Sequence, residues 1–182
     1  MTETSSKGVL RSATVMFLFV GLLGIWTGGC EKLTQEQKVE RLIKQLGHQK
    51  VKVRLHAAEI LGKIGEGAKD VVPALIKALQ DQNEDVRRSA AEALGKIGEG
   101  AVDAVPALIQ TLKDPDSRVR IQAAVALVQI GTPDAIKAAV GAVPALIQVL
   151  QDEDVRRSAA LALGQIGTPE ALKAVKEYQS RQ

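Results

Sequence analysis

Aromatic residues are almost missing from this 182-residue chain. Phe17, Phe19, Trp26 and Tyr178 are the whole set, and three of them fall in the first 26 positions. A globular α/β enzyme of this size fills its core and lines its pocket with aromatic rings. A body made of Ala, Leu, Ile and Val must instead be built from thin, repeated layers. The same scarcity excludes a stacking platform for single-stranded nucleic acid. Cys30 is the only cysteine, which excludes an internal disulfide and a cysteine-built zinc site. Only His48 and His56 could serve imidazole chemistry. Nor does one sign of charge dominate: 24 basic against 21 acidic residues leave +3, which is no footprint for DNA or RNA. No Ser–His–Asp set, catalytic carboxylate pair or dinucleotide fingerprint is present, so neither a catalytic residue nor a cofactor is expected.

The first thirty residues read as an address. A weakly basic start (Lys7, Arg11) precedes the apolar run Ala13 to Trp26, then Thr27-Gly28-Gly29-Cys30. Basic start, apolar stretch and small residues before a cut point are the parts of an export signal. Because the small residues end at the single cysteine, the segment resembles a bacterial lipoprotein signal. That resemblance implies cleavage before Cys30 and acylation of its thiol, although the family pattern has Leu where this chain has Thr27. An uncleaved anchor is the alternative, and residues 13–29 supply 17 residues, the lower end of what a span requires. Ordinary secretion is the third. All three place the body outside the cytoplasm, in the cell envelope if it is anchored.

The rest of the chain repeats itself. Its copies run over residues 39–65, 72–98, 105–131 and 143–167, the last three each opening on Val-Pro-Ala-Leu-Ile. Val39, Val72 and Val105 are spaced by 33 residues, and Val143 follows after 38. Residues 167–178 form a half unit that closes the array. Each copy has two apolar stripes at helical spacing, as in Val72, Leu75, Ile76, Leu79 and then Val86, Ala90, Ala93, Leu94, Ile97. Thr34 with Gln37 predicts a capping box, Asp85 a cap for a second helix, and Thr132 and Thr168 caps before first-turn prolines. Gly65, Gly98, Gly131 and Gly167 mark helix ends, and Pro73, Pro106 and Pro144 fall in first turns.

A helix pair with one apolar stripe cannot bury it alone, but stacked pairs can. The recurring VPALI…L-x-D…VR…AA-x-ALG-x-IG pattern resembles HEAT repeats, in particular the short HEAT-like repeats of phycobilisome bilin lyases. The resemblance implies an all-α, right-handed α-solenoid of about four antiparallel helix pairs with a C-terminal closing helix. The expected boundaries are a targeting segment 1–29, a tether 30–33 and a solenoid 34–182. Within it the repeats fall at about 34–66, 67–99, 100–131 and 132–167, with the closing half unit at 168–179. For function the fold says little, since sites are grafted on folds. Two readings are compatible: a non-catalytic scaffold for a protein partner, or a lyase- or hydroxylase-type enzyme or its accessory subunit.

Several motifs tempt a chemical reading. Gly62 to Gly67, repeated at Gly95 to Gly100, looks like a phosphate loop but lacks its Gly-Lys-Ser/Thr ending and follows a helix. His56 and Glu59 are one pair, whereas the di-iron HEAT-like hydroxylases hold their metals with His-Glu dipeptides in several repeats, so no metal is expected. Arg54, Arg87, Arg120 and Arg156 recur with Asp81, Asp114 and Asp152, which predicts guanidinium–carboxylate bonds between repeats.

The resemblance implies that second helices line the concave face. Stepping 100° per residue away from the buried stripe reaches Arg88 and Glu92 in the second copy. The same line reaches Ile121, Val125 and Val128 in the third and Arg157 and Leu161 in the fourth. These are the expected partner-binding residues. Either they form an apolar strip for a protein partner or a second copy of the chain, or neighbouring helices cover them. The fourth copy breaks the rhythm, with five extra residues before it and a shorter internal turn, and Gly141 and Pro144 predict a kink there.

Overall fold

A computed structural model describes residues 34–64 and 71–180 of the chain. The readings made for residues 1–33, including cleavage and acylation at Cys30, and for Gly65 lie outside the described residues.

Every regular element among the described residues is helical. The first pair is α1 (Gln35–Gln45) and α2 (Val51–Ile64); the second is α3 (Val72–Ala78) and α4 (Glu84–Ile97). A 3-10 segment (Gly98–Ala104) leads into the third pair, α5 (Val105–Thr111) and α6 (Ser117–Ile130). The fourth repeat has two short helices, α7 (Pro133–Gly141) and α8 (Val143–Gln148), before α9 (Arg156–Ile166). The closing helix α10 (Pro169–Gln179) ends the array.

The helix boundaries follow the local chemistry. Thr34 and Gln37 form the capping box at α1, each side chain bonding the other's backbone N–H. Thr132 and Thr168 cap α7 and α10 ahead of first-turn prolines. Gly98, Gly131 and Gly167 end α4, α6 and α9 at φ of 65°, 75° and 71°, where a Cβ would be strained. One expectation is corrected. The cap of α4 is Asn83, whose side chain accepts from the N–H of Asp85 and Val86, so Asp85 sits one residue inside the helix start and favours the macrodipole there. Gly141 and Pro144 do interrupt the long first helix of the fourth repeat, and the chain bends by 42° between α7 and the segment after it.

Each helix pair turns its apolar stripe toward its partner and toward the next pair. Leu61, Leu75, Leu94, Leu108, Leu127 and Leu163 are all fully buried, each contributing about 1.5–3 kcal/mol of hydrophobic stabilisation. The second helices α2, α4 and α6 pack directly on one another, while contact among the first helices is sparse. The stack is thus tighter on the side of its second helices, its inner face in the sense that the resemblance implies.

The tight spacing has a specific cause. A Cβ built on Gly62 would lie 2.7 Å from the Cα of Ala93, and one on Gly95 would lie 3.0 Å from the Cα of Ala126. Glycine at this point of a repeat therefore lets the next second helix come close. In the third repeat the aligned residue is Val128. There α9 packs on α6 much less extensively than α6 packs on α4, and the buried core divides. One cluster spans the first three repeats and α7, and the other joins Ile121 and Ala124 to α8, α9 and α10.

Candidate protein interface

The recurring arginines and aspartates do bridge repeats, at two of the seams. Arg54 donates to Asp81 from Nε and Nη2 at 2.6 and 2.8 Å. Arg87 does the same to Asp114 at 2.8 and 2.9 Å. Both pairs are largely buried, and the fork geometry fixes the angle between repeats as well as their contact. The third nitrogen, Nη1, is spent within the arginine's own repeat. It bonds the carbonyls of His48 and Gln49 from Arg54, and of Asp81 and Gln82 from Arg87. Each aspartate also accepts a backbone N–H of its own turn, Asn83 for Asp81 and Asp116 for Asp114. Burial pushes the Asp81 carboxyl up, but the Arg54 bonds, the Asn83 N–H and the Arg87 charge together outweigh it and hold the group below its ordinary value. The hydrogen bond from Arg118 lowers Asp116 in the same way, against a smaller effect of burial.

The free side of the second helices is rotated by about 50° from the line expected, counting 100° per residue. In α4 it runs through Asp85, Glu92 and Lys96, with Arg88 at its border and Gly95 buried in the seam. Burial by the neighbouring second helix is asymmetric, and on α2 and α4 the glycine side is the side covered. Of the expected binding residues, Arg88 and Glu92 are half-buried and paired, Arg88 with Asp85 at 3.8 Å and Glu92 with Lys96 at 2.6 Å. Ile121 is not on the free face; at 4% exposure it belongs to the second core cluster. Val125 and Val128 are half-buried against the core, and Arg157 and Leu161 are exposed. Leu161 is 65% exposed, more than any other large apolar side chain among the described residues. The expected strip is therefore interrupted at Ile121; Val125 and Val128 are half-buried, and Leu161 alone of its apolar members is exposed.

The inner face differs along its length. On α2 and α4 it carries Lys52, Glu59, Lys63, Asp85, Glu92 and Lys96. On α6 and α9 it carries Gln122, Val125, Gln129, Ser158, Leu161 and Gln165, with arginines (Arg118, Arg157) only near the helix starts. A desolvation cost therefore falls on the charged half and is largely absent from the uncharged half. The outer layer has exposed apolar residues of its own, among them Ile109, Ile136 and Val140, each close to 40% exposed. His56 and Glu59 are both exposed on α2, and His48 lies in the α1–α2 turn, its Nδ1 accepting the Lys50 N–H at 3.0 Å.

HEAT repeats match residues 39–103, 100–142 and 139–181. The chain belongs to the HEAT repeat family. Among solved structures it is similar to an engineered protein at 33% identity, over 78% of this chain and 68% of that one, with a TM-score of 0.53. The complex of CpcE and CpcF of phycocyanin lyase from Nostoc sp. PCC7120 aligns at 27% identity over 81% of this chain and 71% of that one, with a TM-score of 0.50. A designed armadillo repeat protein in complex with the peptide (KR)4 shares the fold at 22% identity, over 79% and 71%, with a TM-score of 0.50. No curated protein matches the chain. The all-helical repeat fold is thus an α-solenoid.

Proposed function

We propose that this HEAT repeat solenoid is a non-catalytic scaffold that binds a protein partner on the uncharged half of its inner face. The observation that carries the reading is Leu161, 65% exposed on a helix face otherwise made of Ser158, Gly164 and Gln165. An apolar side chain of that size, bordered by uncharged polar groups and by Arg157, has the make-up of the centre and rim of a protein contact. Val125 extends it onto α6. The second reading, a lyase-type enzyme or an accessory subunit, has the likeness to the phycocyanin lyase complex in its favour. Against it, the inner face of α6 and α9 offers no carboxylate, histidine or cysteine for acid–base or nucleophilic work.

The scaffold works from the cell envelope, held by an acylated Cys30. Only Glu31, Lys32 and Leu33 separate Cys30 from the cap of α1, a reach of about 13 Å for an extended chain. The solenoid then lies against the membrane without a stalk, and stable retention takes more than one acyl chain.

The test is capture of partners by the full-length tagged chain from extracts of the native cells. Leu161→Asp and, as an outer-layer control, Ile136→Asp run beside it, both chosen at exposed positions so that folding is preserved. A partner lost with Leu161→Asp and kept with Ile136→Asp is the expected result. The reverse pattern moves the interface to the outer layer, and co-purifying iron or a chromophore supports the enzyme reading. Cys30→Ser is expected to release the protein from membranes; retention there contradicts the lipid anchor.

A further inference from the structure

The guanidinium ladder has an open rung. At the seam between the third and fourth repeats, Arg120 is held as its counterparts are, with Nη1 donating to the carbonyls of Asp114 and Pro115 at 2.8 and 3.0 Å. Its Nε and Nη2, the pair that grips a carboxylate in Arg54 and Arg87, bond no carboxylate among the described residues. The aligned acid, Asp152, keeps its turn role by accepting the Asp154 N–H at 3.1 Å, but it does not reach Arg120.

Two features keep the rung open. Five residues are added before α8, and the turn that carries Asp152 is shorter than its counterparts at Asp81 and Asp114. Val128 stands where Gly62 and Gly95 let the next helix approach, and at those positions even a single Cβ meets backbone at 2.7–3.0 Å. This seam is packed less extensively than the two at which the rungs form. Between Ser117 and Gln151 the only acid is Asp134, against Arg118, Arg120 and Lys137, and neither Glu153 nor Asp154, in the turn beyond, forms an ion pair with Arg120. Arg118 is already engaged with Asp116 at 3.0 Å.

We infer that Arg120 is a recognition site for an acidic side chain of a protein partner, which completes the third rung as Asp81 and Asp114 complete the first two. The chemistry is that of the internal rungs, a planar fork presenting two parallel N–H donors to one carboxylate. Its fork is pre-anchored through Nη1, so little side-chain entropy remains to be lost on binding. The site rests on the scaffold reading for its protein partner, but its test reads Arg120 and not Leu161, so the two can fail separately.

The test follows the arginine side-chain N–H resonances of the full-length chain in detergent while the acidic peptide N-acetyl-tetraglutamate is added. Saturable shifts at Arg120, with Arg54 and Arg87 unmoved, are expected. Arg120→Lys keeps the charge and loses the fork, and it is expected to weaken peptide binding roughly tenfold. An unmoved Arg120 overturns the inference, as does an equal response at all three arginines. A change in the Arg120 resonance caused by Asp152→Asn without peptide also overturns it, because the rung is then closed internally. Inorganic phosphate is the second arm, and binding as tight as the peptide's contradicts recognition of an acidic side chain.

Discussion

A methyl group added at Gly62 would lie 2.7 Å from the Cα of Ala93, whereas one added at Gly164 meets nothing within 4 Å. The two glycines hold the same position in their repeats, yet only the first has a second helix stacked against it. Gly62→Ala is therefore expected to destabilise the protein by about 1–3 kcal/mol through overpacking against backbone. Gly164→Ala is expected to stabilise it by about 0.5–1 kcal/mol by removing a glycine from a helix interior. Urea unfolding followed by circular dichroism reads both signs; equal effects would show that the seam glycines have no packing role. The sequence displays these glycines plainly as part of its repeat pattern. What it does not display is whether a neighbour stands over each one, because that depends on the rotation of the next helix.

Between elements, the arginine–aspartate rungs set how one pair sits on the next, and the Arg54–Asp81 rung, like the Asp116–Arg118 pair at the start of α6, carries a pH dependence. Asp81 and Asp116 are both held below the ordinary carboxylate value, by Arg54 and Arg118 among other groups. A depressed folded-state value means that the unfolded chain binds the proton more readily. The stabilisation is then fully present above the unfolded value of about 3.9 and is lost as pH falls through the folded value. Stability is expected to be flat from neutral pH to about 5 and to drop below about 4, with a smaller drop in Asp81→Asn. An identical acid profile in that variant would contradict the pairing. The recurrence of Arg with Asp made the rungs legible from sequence. The third rung follows the same recurrence but does not form, and it is there that the spacing before Val143 lengthens and valine replaces glycine at 128. The free line of the second helices lies half a residue step from the one that the periodicity predicts, for a related reason. Counting from the buried stripe treats the two flanks of a helix as equal, while in the stack one flank is covered by the next repeat, which buries Gly95 and Ile121 and leaves Lys96 and Gln129 exposed.

At the scale of the whole array, three repeats and α7 share one core, and α8, α9 and the closing helix form another with Ile121 and Ala124 of α6. In a repeat protein each interface contributes its own stability term, so a weak seam is where cooperativity breaks. Backbone amides of α9 and α10 are expected to exchange with solvent faster than those of α4 and α6, and by an opening that leaves the first core intact. Uniform protection from α2 to α10 would contradict the division. The same asymmetry places the uncharged inner face at the less constrained end of the array, beside the open rung. The most direct measurement of the central claim is photo-crosslinking in native cells, with a benzophenone side chain placed at Leu161 or Gln129 on the inner face and at Ile109 or Ile136 on the outer layer. A specific adduct from the two inner positions alone is the predicted result. Adducts from the outer positions alone, or from none of the four, would contradict a scaffold that works through the inner face of its second helices.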